Sequence, residues 1–142
     1  MKRFFVRVVD WNEEQEALLA VRHEVFVLEQ NVPEELELDG LDGQCVQALA
    51  EDAEGQPIGT ARLMPEGRIG RVAVLSSWRR CGVGAELMVK LEEEARQLAM
   101  PRLVLHAQTW TIPFYKSIGF DLVDGEEFYE AEIPHRIMER EL

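Results

Sequence analysis

The chain has 142 residues, 46% of them hydrophobic and 30% charged, a composition that suits one folded domain over residues 1–142 and excludes intrinsic disorder. A formal net charge of −12 excludes a phosphate backbone as partner, so no nucleic acid is expected, and an acidic surface favours cationic molecules such as amines. No apolar stretch reaches membrane-spanning length, and the basic start Met1-Lys2-Arg3 meets Arg7 and Asp10 without a small-residue cleavage site, so the expectation is a cytoplasmic protein with no membrane partner.

In chain order, Phe4–Val9 alternates too little for a one-sided strand and is expected to be covered on both faces. Asn12, with Gln15 three residues later, forms a capping box for a helix carrying Leu18, Leu19, Val21, Val25 and Phe26 on its apolar face and ending before Pro33. Residues 29–43 form an acidic loop or short helix, punctuated by Pro33, Gly40 and Gly43. Segments 45–51, 58–64 and 68–74, separated by turns at 52–55 and 65–67, make an antiparallel meander. A second helix over 85–99 places Leu87, Met88, Leu91, Ala95 and Leu98 on one face and stops at Pro101. A strand at 103–106, a short helix at 112–118 ended by Gly119, a strand at 120–123 and a closing strand at 132–140 complete the chain. The order β-α-β-β-β-α-β-α-β-β specifies an α+β fold, a mixed sheet with helices on its faces.

Between the meander and the second helix lies Arg79-Arg80-Cys81-Gly82-Val83-Gly84. Two glycines permit a tight turn that presents backbone N–H groups without Cβ obstruction. The next helix leaves its first N–H groups unpaired and adds partial positive charge there. Two arginines supply planar donors suited to phosphate oxygens. The arrangement is a diphosphate cradle and implies a nucleotide-containing ligand. It is not a P-loop, because Gly84 is followed by Ala85-Glu86 in place of Lys-Ser/Thr. Nor is it a dinucleotide fingerprint, because Leu87 stands where a third small residue belongs and an antiparallel meander precedes it. Cys81, at a helix start beside arginines, has the setting of an activated thiol, while the simpler reading is a small residue filling the loop. Cys45 and Cys81 lack CxxC spacing, and His23, His106 and His135 lack metal-ligand spacing, so no metal is expected.

Downstream stands Pro113-Phe114-Tyr115-Lys116-Ser117-Ile118-Gly119-Phe120. With Arg79-x-x-Gly82-x-Gly84 and the strand order, it resembles the GNAT superfamily of acyl-CoA-dependent N-acyltransferases over nearly the whole chain. Val25-Phe26-Val27-Leu28-Glu29-Gln30, Glu37-Leu38-Asp39, Ile69-Gly70-Arg71-Val72-Ala73-Val74, Ala107-Gln108 and Ile133-Pro134-His135 are similar to the small bacterial ElaA-like branch. The resemblance implies acetyl-CoA as donor and coenzyme A as product. Its diphosphate would be held by Arg79, Arg80, Cys81, Gly82, Val83 and Gly84. The main chain of Val72 and Val74 would pair with the pantetheine arm where this strand splays from the strand at 103–106, and the N–H near Val74 would face the thioester carbonyl. Gln108 takes a place where many relatives carry Asn and is a further candidate for the pantetheine.

The implied reaction is direct attack of a neutral primary amine on the thioester in a ternary complex. An oxyanion needs fixed donors in a water-poor site, and the leaving thiolate needs a proton. Tyr115, at the family's matching position, is the candidate general acid. Glu29, where the first helix ends, ranks first as base, with Asp39, Glu130, His106 and His135 as other candidates. Gln30, Asp39, Glu130 and His135 are expected around the acceptor, a small-molecule or protein amine. The alternative is a non-catalytic acyl-CoA-binding or protein-interaction module on the same fold. Oligomeric state, including a homodimer, stays open.

Overall fold

The computed structural model describes residues 2–142. Strand β1 (Phe4–Val9) leads into helix α1 (Trp11–Arg22), which continues as a π-helical turn over His23–Glu29, and then into the one-turn helix α2 (Glu34–Glu37). The meander is β2 (Val46–Asp52), β3 (Pro57–Leu63) and β4 (Arg68–Val74). After it come α3 (Val83–Gln97), β5 (Arg102–Gln108), α4 (Ile112–Ser117), β6 (Asp121–Leu122), β7 (Phe128–Glu130) and β8 (Ile133–Glu141). All eight strands join one mixed sheet in the order β1-β2-β3-β4-β5-β8-β6, with β7 also paired to β8.

Strand β1 pairs only with β2 at the sheet edge, and one of its faces is exposed, so it is not the doubly covered strand expected. Phe4 and Val6 reach the core while Phe5 stands 61% exposed. Helix α1 begins two residues earlier than the Asn12–Gln15 box implies: Asp10 is the N-cap, accepting from the Asn12 N–H at 3.4 Å. Leu98, expected on the buried face of the second helix, lies past its end and is 57% exposed.

Two helices cover opposite faces of the sheet. Helix α3 buries Val83, Leu87, Met88, Leu91 and Ala95, and it approaches β3 so closely that a Cβ on Gly59 would meet Val83 Cγ1 at 2.9 Å. On the other face, Val21 and Val25 pack against Ala73 of β4.

Strand β4 departs from regularity twice. Thr60 pairs with Ala73 but Arg62 pairs with Gly70, so β4 carries one extra residue, a β-bulge at Arg71 with φ of 51°. The bulge reverses the pleat, and Ile69 therefore joins the α3-side core while Ala73, four residues on, joins the α1 side. Pairing with β5 is parallel and stops at Ile69–Leu105. From there the two strands separate.

The acidic segment after α1 is pinned, not solvated. Arg22, 1% exposed, donates to the Glu37 and Asp42 carboxylates, and Arg62 donates to Asp39 and Asp42. Gln47 adds a bond to the Asp42 carbonyl at 3.1 Å. Strand β7, absent from the sequence reading, forms a hairpin with β8 through Ala131 and Glu132, whose φ values of 50° and 65° are those of a type I′ turn made without glycine or asparagine. Among the described residues no helix is long and apolar enough to cross a membrane, and no group of three or more His, Cys, Asp or Glu is placed to hold a metal.

Candidate active site

The gap between β4 and β5 opens into a cavity of about 770 Å³ that runs from the start of α3, past Tyr115, to His106, Glu130 and His135. Its β4 wall is backbone. The Leu75 N–H bonds Ile58 O at 2.9 Å, and the register pairs Gly59 with Val74. Bonded and non-bonded pairs alternate in an antiparallel ladder, so Val74 occupies a non-bonded position with its N–H and C=O turned away from β3; the carbonyl accepts from Arg79 Nε at 3.0 Å and the N–H faces the gap. Val72 lines the same wall beside the bulge. A buried, unpaired main-chain group is costly, so this edge favours a ligand that supplies partners.

At the other end, Arg80 and Gly82 have φ values of 61° and 88°, and Gly82 caps α3 from a left-handed conformation. The first intrahelical bond runs from Glu86 N–H to Gly82 O at 3.1 Å, leaving the N–H groups of Val83, Gly84 and Ala85 without helical partners. Arg80 is exposed and forms no ion pair among the described residues. These groups fit a diphosphate. Gly84 is glycine for a second reason: a Cβ there would meet Phe114 Cζ at 3.3 Å.

Arg79 is placed differently from the expectation. Its Nη atoms form a two-bond fork with the Glu29 carboxylate at 2.5 and 2.6 Å, and its Nε donates to the Val74 carbonyl at 3.0 Å. All three contacts tie the loop before α3 to the end of the π turn after α1 and to β4. The same fork engages Glu29, the residue expected as base: the Arg79 guanidinium holds its carboxyl below the usual range. The Cys81 side chain is exposed and absent from the cavity wall, so its contribution there is confined to its main chain.

Tyr115, 7% exposed, sits on α4 with its ring edge-on to Phe114 (centroids 5.0 Å) and Phe120 (6.0 Å), and it lines the cavity midway. Burial pushes its phenol up, so it keeps its proton at neutral pH. Gln108 and Gln30, expected in separate roles, meet across the cavity as a reciprocal amide pair at 2.9 and 3.3 Å. Trp110 Nε1 adds a bond to Gln108 Oε1 at 2.7 Å. The pair closes the gap between the π turn after α1 and the end of β5.

Beyond it, His106 Nδ1 lies 2.5 Å from Glu130 Oε1, and the Phe128 ring stands edge-on to His106 (5.2 Å) and stacked on His135 (5.9 Å). His135 Nδ1 bonds Ile133 O at 2.6 Å. The β7–β8 hairpin thus brings Glu130 and His135 to His106. Asp39, expected around the acceptor, does not join them: it is held by Arg62 and Arg71, which keep its carboxyl well below the usual range, and it does not line the cavity. Arg68, 3.0 Å from His106 Nδ1, was not singled out from the sequence.

Residues 9–142 match the family described as acetyltransferase (GNAT) domain. YjcF of Bacillus subtilis, an uncharacterized N-acetyltransferase, is 40% identical over 132 residues, covering 90% of this chain and 94% of its own. The crystal structure of Escherichia coli ElaA superposes with a TM-score of 0.84 at 33% identity, covering 96% of this chain and 99% of that one. An acyl-CoA N-acyltransferase from Pseudomonas aeruginosa superposes at 0.81 with 34% identity over 99% of both chains. Strand order, the opened β4–β5 edge and the α3 cradle agree with these matches, and the chain belongs to the GNAT acetyltransferase family, within which it is ElaA-like.

Proposed function

We propose that the protein transfers an acetyl group from acetyl-CoA to a primary amine by direct attack in a ternary complex. One observation carries this reading: a single cavity joins the unpaired N–H groups of α3 to the polar cluster of the β7–β8 hairpin through the opened β4–β5 edge, with Tyr115 between them. Val83, Gly84, Ala85 and Arg80 hold the diphosphate, with Arg79 shaping the loop from behind. Val72 and Val74 supply main-chain partners to the pantetheine arm, and the Val74 N–H is the fixed donor for a developing oxyanion. Tyr115 gives the leaving sulfur its proton. Gln30 and Gln108 border the acceptor space that Glu130 and His135 line.

Calorimetric titration with acetyl-CoA, followed by thiol release across a panel of amines, tests the proposal. Binding with amine-dependent release is the expected result. Binding without release from any amine favours a non-catalytic acyl-CoA-binding module on this fold, and absence of binding overturns both readings.

A further inference from the structure

The acetyltransferase reading leaves one proton without a destination. A primary amine arrives as an ammonium, its reference pKa being about 10.4 for a lysine-like group. Something on the acceptor side must take that proton before nitrogen can attack. The carboxylates nearest in sequence to the site are otherwise engaged: Glu29 by Arg79, Asp39 by Arg62 and Glu37 by Arg22.

We propose that His106 is the catalytic residue that accepts this proton at Nε2, with Glu130 as the positioning residue behind it; the proposal rests on the acetyltransferase reading above. The Glu130 carboxyl is held below its usual range, first by its hydrogen bond to His106, so at neutral pH it is an acceptor and Nδ1 carries the hydrogen. That assigns the open lone pair to Nε2, which has no hydrogen-bond partner among the described residues, on a ring that lines the cavity. The ring is fixed in orientation by its Nδ1–H bond to Glu130 and by Phe128 from β7, edge-on at 5.2 Å; the Arg68 guanidinium, which only donates, lies 3.0 Å from Nδ1 and 3.9 Å from Glu130 Oε2 and acts on the carboxylate. His106 and Gln108 share a face of β5, so the lone pair belongs to the side on which Gln30 closes the cleft.

His135, the other ring present, is a weaker choice. Its Nδ1 partner is the neutral Ile133 carbonyl, which stabilises a ring cation less than a carboxylate does. It is also 8% exposed, against a quarter of the His106 side chain. Glu130 alone is a poorer base than the imidazole it holds, since the hydrogen bond from His106 and the Arg68 guanidinium 3.9 Å from Oε2 hold its carboxyl below the usual range.

The step balances. One N–H bond of the ammonium breaks and one forms at His106 Nε2, leaving an imidazolium opposite Glu130. The amine lone pair then forms the C–N bond and the C–S bond breaks. Tyr115 protonates the sulfur, the second nitrogen proton restores the phenol, and His106 returns the first proton to water.

Two acceptors of similar shape separate this role from a structural one. Benzylamine is almost wholly protonated at neutral pH and O-benzylhydroxylamine almost wholly neutral; both suit the apolar wall of Phe26, Val32, Leu36 and Ile133. In His106→Asn, kcat/KM for benzylamine is expected to fall about a hundredfold or more, while that for O-benzylhydroxylamine changes by less than about fivefold. Coenzyme A affinity stays unchanged by calorimetry. In Glu130→Gln the benzylamine rate falls about tenfold, and the acid limb of its pH profile moves to lower pH because the ring cation has lost its counter-charge. Equal loss with both acceptors, no loss with either, or the selective loss appearing in His135→Asn instead overturns the proposal. So does a wild-type enzyme that uses only O-benzylhydroxylamine. Should His106→Asn not fold, an unmoved acid limb in Glu130→Gln overturns it alone. A wild-type protein that releases thiol with neither acceptor defeats the acetyltransferase reading itself.

Discussion

Replacing Glu29 by Gln separates two accounts of the α1 terminus by magnitude. If Glu29 were the general base, neutralising it would remove a contribution of about 10²–10⁴ in rate. The structure assigns it to a fork with Arg79, in which the two side chains are 34% and 41% exposed. Exposed pairs of this kind contribute about 0–1 kcal/mol after solvent screening. Gln keeps the shape and one acceptor oxygen, and the Arg79 bond to Val74 O is untouched. One kcal/mol is about fivefold in affinity, so KM for acetyl-CoA should rise by about fivefold at most while kcat stays within about twofold. Steady-state thiol release at saturating amine, with acetyl-CoA varied, reads both constants. A fall in kcat beyond about a hundredfold at unchanged KM would refute the assignment and restore Glu29 as base.

Three further outcomes follow from the same geometry. Tyr115→Phe should lower kcat about a hundredfold with coenzyme A affinity unchanged by calorimetry, and wild-type turnover would remove the phenol from the mechanism. Arg22→Met strands the Glu37 carboxylate, which is 4% exposed, and should cost about 3–5 kcal/mol in urea unfolding; adding Glu37→Gln should return at least half of that, and a single variant within about 1 kcal/mol of wild type would contradict the burial argument. The Asp39 carboxyl is depressed by Arg62, so its stabilisation is complete above the unfolded value of about 3.9 and fades as pH falls through the folded one. The stability gap between wild type and Asp39→Asn should therefore be widest near neutrality and shrink below about pH 4; a gap that widens in acid reverses the sign.

Much of the fold was legible because its signals are local. The bounds of β4 and the helix after Gly82 follow from an apolar run, a glycine turn and a 3.6-residue apolar stripe. The left-handed turn before α3 was legible because Gly82 carries a local signal, whereas Tyr115 was expected from the family resemblance. What escaped depends on distant partners. The β7–β8 turn uses Ala131 and Glu132, which carry no turn signature, so the hairpin that brings Glu130 to His106 was not legible and Glu132 read as the start of the closing strand. The acidic segment read as a loop or short helix without its buried anchors, since Arg22 and Arg62 lie 15 and 23 residues from Glu37 and Asp39 respectively. Nor does composition announce that Arg79 spends its guanidinium on Glu29, 50 residues away. The bulge at Arg71, which turns Val72 and Val74 toward the gap, has no glycine at the residue with positive φ.

Amide shifts of the labelled protein, recorded against coenzyme A and separately against pantetheine, address the grip on the diphosphate most directly. Coenzyme A should move the N–H resonances of Val83, Gly84 and Ala85 together with that of Val74. Pantetheine, which lacks the diphosphate, should move Val74 and leave the α3 turn in place. Resonances at 83–85 that ignore coenzyme A while it binds elsewhere would contradict the account.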